Sequence, residues 1–259
     1  NRSFPCPNAD DDFDGCETNV KYDLWNASLL DFSHVVYDFL STRTANNQGE
    51  ALMWGVAWWS GQRLDLKVQS VDENGNRVPL GHKTFKAIKP HAGGRLLRFD
   101  FHGRAHARLQ FNWGLYEDGV WTPIVMPWMS VTLMDFDCGS QRAKCEEVIS
   151  ADHSSYEVGT TVEVSELGAQ TMFEDLQISN AENNPHSVLL NDEQKSISAG
   201  LFFEDRDHFT LQMGNYAWWP RTILFAGISN LQWPAVQPPA PTPLPTPSPT
   251  PVPTTPTPS

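Results

Sequence analysis

From residue 50 onward, short apolar runs alternate with clusters of turn-forming residues. Residues 50–59 (EALMWGVAWW) are an apolar run of strand length. Leu64, Leu66 and Val68 then alternate with Asp65 and Lys67, the period of two that a half-buried strand needs. Asn74-Gly75 follows and predicts a hairpin turn, with a return strand over 77–88. The longest regular stretch is 97–113. Its odd positions are Leu97, Phe99, Phe101, Gly103, Ala105, Ala107, Leu109, Phe111 and Trp113. Its even positions are Arg98, Asp100, His102, Arg104, His106, Arg108, Gln110 and Asn112. One face is therefore dry and the other wet, with Gly103 as a bend or a hairpin. Further strands are predicted over 130–136, 156–164, 171–178, 196–203, 209–213 and 218–228, separated by Gly, Asn, Asp and Pro clusters. No helical stripe of useful length is present. The pattern predicts an all-β head, an antiparallel β-sandwich or jelly roll, or two sandwiches dividing near 137–145.

The head occupies residues 21–233. Residues 1–20 form an acidic, cysteine-flanked segment, and 234–259 form a tail with proline at nearly every second position. No charged residue follows Arg221. Proline fixes φ, removes a donor and pushes its predecessor toward extended geometry. The tail is therefore expected to be a polyproline II rod rising about 3.1 Å per residue, on the order of 70 Å in all. Ser and Thr between the prolines are expected to carry O-linked sugar.

The formal charge is −13. That disfavours nucleic acid and anionic membrane as partners and suits cations. No membrane-length apolar run is present, and the start at Asn1 reads as a processed product. Four cysteines fall in two close pairs, Cys6 with Cys16 and Cys138 with Cys145. Local pairing into two small disulfide loops is expected, from three possible connectivities, or else the thiols are free and buried. Asn26 begins an N-glycosylation acceptor.

Two acidic runs are candidate calcium sites. Asp10, Asp12 and Asp14 fit D-x-D-x-D-G, but Lys21 stands where an EF-hand needs its bidentate Glu. The spacing resembles the calcium loops of thrombospondin type 3 repeats. Asp135 and Asp137 share one side of a strand, with Glu146 and Glu147 just past Cys145. Either run can equally be a solvated polar segment, and paired carboxylates also fit a glycosidase.

Arg98, His102 and Arg104 begin a basic stripe that continues through His106 and Arg108. It would dock an acidic patch or polyanionic sugar, or simply pair with carboxylates on adjacent strands. His102 and His106 are about 13 Å apart along one strand, too far to share a metal. Ten tryptophans are present. In strands, one member of each adjacent pair, Trp58-Trp59 and Trp218-Trp219, faces away from the core, so Trp58 and Trp219 are taken as sugar or partner contacts. The nucleophile-elbow, zincin and phosphate-loop motifs are absent.

The tail and the head-plus-stalk layout resemble algal and plant hydroxyproline-rich glycoproteins, including pherophorin-like matrix proteins. The resemblance implies hydroxylated and glycosylated positions at Pro243, Pro247 and Pro249, with sugar also on Thr242, Thr246, Ser248 and Thr250. The expected function is a non-catalytic, secreted structural glycoprotein that polymerises with copies of itself into a fibril or coat and contacts glycans. The alternatives are a carbohydrate-binding module and a glycoside hydrolase with a linker.

Overall fold

The structure, a computed structural model, describes residues 30–40, 48–59, 61–80, 85–136, 138, 145–175, 184–229 and 231, with backbone alone for 85–87. Two antiparallel sheets make a β-sandwich. The larger runs β1 (Val35–Asp38), β2 (Glu50–Trp59), β3 (Gln62–Ser70), β6 (Ala105–Glu117), β14 (His208–Asn215), β9 (Glu146–Ser150), β12 (Gln170–Asp175) and β11 (Val162–Leu167), with β7 (Val120–Pro123) also on β6. The smaller runs β10 (Ser155–Val158), β13 (Ala199–Arg206), β8 (Met126–Met134), β15 (Arg221–Ala226), β5 (Leu96–Phe101) and β4 (Phe85–His91). Strands from before and after 137–145 pair with one another in both sheets, β6 with β14 in the larger and β8 with β13 and β15 in the smaller, so the described residues form one sandwich and not two.

Phenylalanines hold the layers together. Phe111 on β6 stacks on Phe209 of β14 and on Phe225 of β15, at 5.0 and 4.8 Å between ring centroids. Phe203 of β13 stacks on Phe209 at 4.1 Å. All four are fully buried, and burying each contributes about 1.5–3 kcal/mol.

The apolar positions of 97–113 are buried as expected, at Leu97, Phe99, Phe101, Ala105, Ala107, Leu109, Phe111 and Trp113, while Asp100 on the other face is buried as well. The stretch is nevertheless two strands. β5 belongs to the small sheet and β6 to the large one, and the chain changes layer at 102–104. Gly103 is neither a mid-strand bend nor a hairpin. A Cβ there would lie 1.9 Å from the Trp218 carbonyl oxygen, so only glycine lets the two backbones cross.

Other expectations change in the same way. The Asn74-Gly75 turn forms, with Asp72 accepting from Asn74 and Asn76. Its return is a single bridge, Val71 to Arg77, and the later part of the expected strand, β4, joins the opposite sheet. The stretch 156–164 divides into β10 and β11, again in different sheets. The start of 196–203 is the end of a short helix, Asp192–Ser196, with a capping box between Asn191 and Gln194. Among the described residues, no helix is long and apolar enough to cross a membrane.

Candidate functional site

The layer change at 102–104 and the loop 216–220 meet at one end of the sandwich. Asn215, the last residue of β14, is fully buried and ties them together. Its side-chain nitrogen donates to the carbonyls of His102 (3.2 Å) and Trp219 (2.9 Å), and its oxygen accepts from the Ala217 amide (2.8 Å). The Arg104 amide donates to the Ala217 carbonyl at 2.9 Å, and the Tyr216 amide donates to the Cys145 carbonyl at 3.1 Å. Cys145 is disulfide-bonded to Cys138, as the spacing predicts. The loop backbone is thus held by a buried amide and lies against a covalent cross-link.

On this support Trp218 and Trp219 are 61 % and 76 % exposed. The sequence places one of the two inward. Both stand out because they occupy a loop, where strand alternation does not apply. The Arg104 guanidinium lies over the Trp218 ring, 3.1 Å from its centroid. Among the described residues Arg104 has no carboxylate partner. Its φ of 58° is left-handed, an uncommon conformation for arginine that directs the residue across the corner.

Beside this tip a row of side chains crosses the outer face of the large sheet. Register sets His106 opposite Gly214, Gly214 opposite Glu147, Glu147 opposite Glu174, and Glu174 opposite Glu163. Gly214 leaves room for the imidazole, since a Cβ there would lie 1.9 Å from His106 Cδ2. Tyr216 packs on that ring at 4.4 Å and donates its hydroxyl to Glu147. Burial pushes Glu147 above the usual carboxyl range; the Tyr216 hydrogen bond opposes this and the Glu174 charge adds to it. Burial and then the Glu163 charge push Glu174 up, while burial holds His106 below the usual histidine range. His106 Nε2 lies 3.4 Å from Glu147 Oε1, with both groups biased toward their neutral forms.

The structure therefore brings together three of the sequence-derived contacts, His102, Arg104 and Trp219. Arg98 is elsewhere, on the outer face of the small sheet, where it donates to Asp100 at 2.5 Å. His102 lies in the corner and His106 follows it on β6, so the two do not lie along one strand. Trp58 is 67 % exposed on β2, while Trp59 turns inward. Near it, Trp54 receives Arg63 over its ring at 4.5 Å. Arg63 also donates twice to the fully buried Asp65, at 3.0 and 3.2 Å, and Asp65 accepts from the Gly55 and Tyr116 amides.

Asp135 is buried at the end of β8. Asp10, Asp12, Asp14, Asp137, Cys6, Cys16, Asn26 and the tail positions lie outside the described residues. Among the described residues, no three His, Cys, Asp or Glu side chains converge as metal ligands. Sequence reading named Glu147 but missed Asn215 and the row that joins Glu147 to Glu174 and Glu163. Asn215 works on the His102 carbonyl, more than a hundred residues away, and the glutamates come from three separate strands.

No family model and no curated protein matches the chain. Solved structures similar to it include the N-terminal domain of the Streptococcus gordonii adhesin Sgo0707, at a TM-score of 0.42 and 10% identity, over 69% of this chain and 47% of that one. The adhesin domain of PrgB from Enterococcus faecalis, bound to DNA, aligns at a TM-score of 0.37 and 10% identity, over 68% and 66%. Glucan binding protein C of Streptococcus mutans aligns at 0.34 and 12%, over 74% and 62%. The chain spans about half the length of the first of these.

Proposed function

We propose that the chain is a secreted, non-catalytic structural glycoprotein whose head attaches to neighbouring copies or matrix glycans through the Trp218–Trp219 tip. The tail, 234–259, is its glycosylated spacer or inter-subunit contact, and the product is an extracellular fibril or surface coat. The observation that carries this reading is the tip itself, two adjacent indoles largely in solvent on a backbone fixed by a buried asparagine. Exposed aromatic surface on a preorganised support favours association, because little ordering entropy is left to lose. Arg104 keeps its charge available there, and the disulfide suits an oxidising exterior.

The test is imaging of the native material beside the W218A/W219A double variant of the full chain. Fibrils or sheets in the first and dispersed particles in the second are expected. Monodisperse monomers from both at high concentration would overturn the reading. Calcium at the acidic segments and sugar on the tail belong to the same proposal. Native mass spectrometry before and after chelation reads the first, and intact mass the second.

A carbohydrate-binding module is the second reading, favoured by the outer face of the large sheet. Trp121 lies across Gly114, where an added Cβ would meet the indole at 2.7 Å, with Lys67 4.3 Å from the ring centroid. Gln69, Gln110 and Asn112 lie alongside. Retention on wall polysaccharides that W54A or W121A abolishes would favour it over assembly by the tip.

A further inference from the structure

The basic stripe of 98–108 divides in the fold. Arg98 donates to Asp100, Arg104 lies over Trp218 and His106 faces Glu147. Arg108, half-buried in the middle of the large sheet's outer face, has no carboxylate partner among the described residues. Lys67 on the same face has none within ion-pair distance either, and its ammonium rests 4.3 Å from the Trp121 ring centroid. The carboxylates bordering this face already have partners. Glu50 lies 2.5 Å from Arg77, Asp65 3.0 Å from Arg63, Asp152 3.7 Å from Arg206 and Asp207 2.7 Å from His208. The face therefore holds a local surplus of positive charge in a chain whose formal charge is −13.

Register fixes where that surplus sits. Lys67 is opposite Asn112 on β6, and Arg108 lies four residues before Asn112 on the same strand. The two cations are thus set about 13 Å apart along the strand. Gln110 lies between them, and Gln212 is directly opposite Arg108. Both glutamine side chains are half-buried and make no hydrogen bond among the described residues.

We infer that this face binds a linear acidic polysaccharide, with Arg108 and Lys67 each taking a carboxylate and the two glutamines taking hydroxyls. A guanidinium holds a carboxylate through two parallel N–H donors. A free amide both donates and accepts, as a sugar hydroxyl does. Trp121 positions the Lys67 ammonium by holding it over the indole. A uronate chain spaces its carboxylates by a sugar ring or more, which suits two separated cations. Duplex DNA carries one charge about every 1.7 Å, and two cations cannot balance it. Glu147, Glu174 and Glu163 follow on the next strands of the same face and would meet its excess phosphates. The inference rests on the reading of the outer face as a carbohydrate site and adds the charge of the sugar; it does not involve the tip.

The experiment measures binding of the full chain to polygalacturonate, to the same polymer methyl-esterified and to duplex DNA, by affinity electrophoresis at low and high salt. The acid polymer is expected to bind at least about tenfold tighter than the ester. Arg108→Gln should weaken the acid polymer about tenfold, the loss of one charge-assisted hydrogen bond, and flatten its salt dependence. Lys67→Gln should do the same to a smaller degree. Arg95→Gln removes a positive charge just before β5 and should leave binding unchanged; melting temperatures equal to that of the parent chain show that the variants are folded. Equal binding of acid and ester, abolished by W54A but not by Arg108→Gln, would overturn the acidic ligand and leave the carbohydrate-binding reading intact. No retention of either polymer would overturn both. Binding to DNA alone would overturn them too and give the face to a nucleic acid.

Discussion

Arg63 over Trp54 and Arg104 over Trp218 are the same pair of side chains in two settings. Arg63 is fastened to a fully buried carboxylate, Asp65, and to the Tyr116 carbonyl. Its charge is neutralised where it stands, and its ring contact braces the sheet. Arg104 has its backbone fastened and its side chain exposed, and no carboxylate among the described residues answers it. The first arrangement spends its cation on the fold. The second leaves a cation and two indoles facing outward, which is the condition for recognition. A cation–π contact alone, about 0.5–1 kcal/mol at exposed sites, does not separate the two cases; the carboxylate does.

The largest effect should come from breaking the brace. Asp65→Ala leaves Arg63 and two amides without their buried acceptor and is expected to cost about 3–5 kcal/mol in urea unfolding. Next is the tip's support. Asn215→Ala unpairs two carbonyls and an amide, for about 2 kcal/mol, and should weaken assembly as well. Changing the tip itself should divide stability from function: W218A/W219A is expected to alter stability by no more than about 0.5 kcal/mol while dispersing fibrils seen by microscopy. A smaller, pH-dependent effect sharpens the contrast in charge. Burial raises Glu147 in the folded state, so the stability linked to its proton is complete below the usual glutamate pKa. It is lost as pH climbs through the raised value. Glu147→Gln should therefore raise the melting temperature at pH 7 and lose that advantage near pH 4. Asp100 should behave oppositely. Burial pushes it up, but hydrogen bonds from Arg98 and Thr222 and the charges of Arg98 and Lys89 outweigh this and hold it low. Its contribution is present at neutral pH and fades in acid. Arg104→Ala should be the mildest for stability, visible mainly as reduced salt sensitivity of the tip's contact in sedimentation.

Alternation told the dry face from the wet face all along 97–113, because side-chain direction is a local property of extended backbone. It did not tell which sheet each strand joins. Gly103 looked like a bend, and its actual constraint is the Trp218 carbonyl on a segment more than a hundred residues later. The same limit hid the split of 156–164 and the missing return after Asn74-Gly75, since pairing is settled by distant partners. At the tip, composition was enough to single out Trp219, His102 and Arg104. The residue that gathers them, Asn215, looks in sequence like any turn asparagine. Glu163 and Glu174 are likewise ordinary until the ladder sets them beside Glu147.

The corners at 103 and 207 have a mechanical consequence. At each, the polypeptide passes directly from one layer into the other, β5 into β6 and β13 into β14. The two layers are thus stitched by covalent bonds and cannot slide over one another as two stacked plates can. Under shear, tension entering one layer is handed to the other through the main chain. Stretched in a single-molecule instrument, the head should rip in one event, not peel layer by layer.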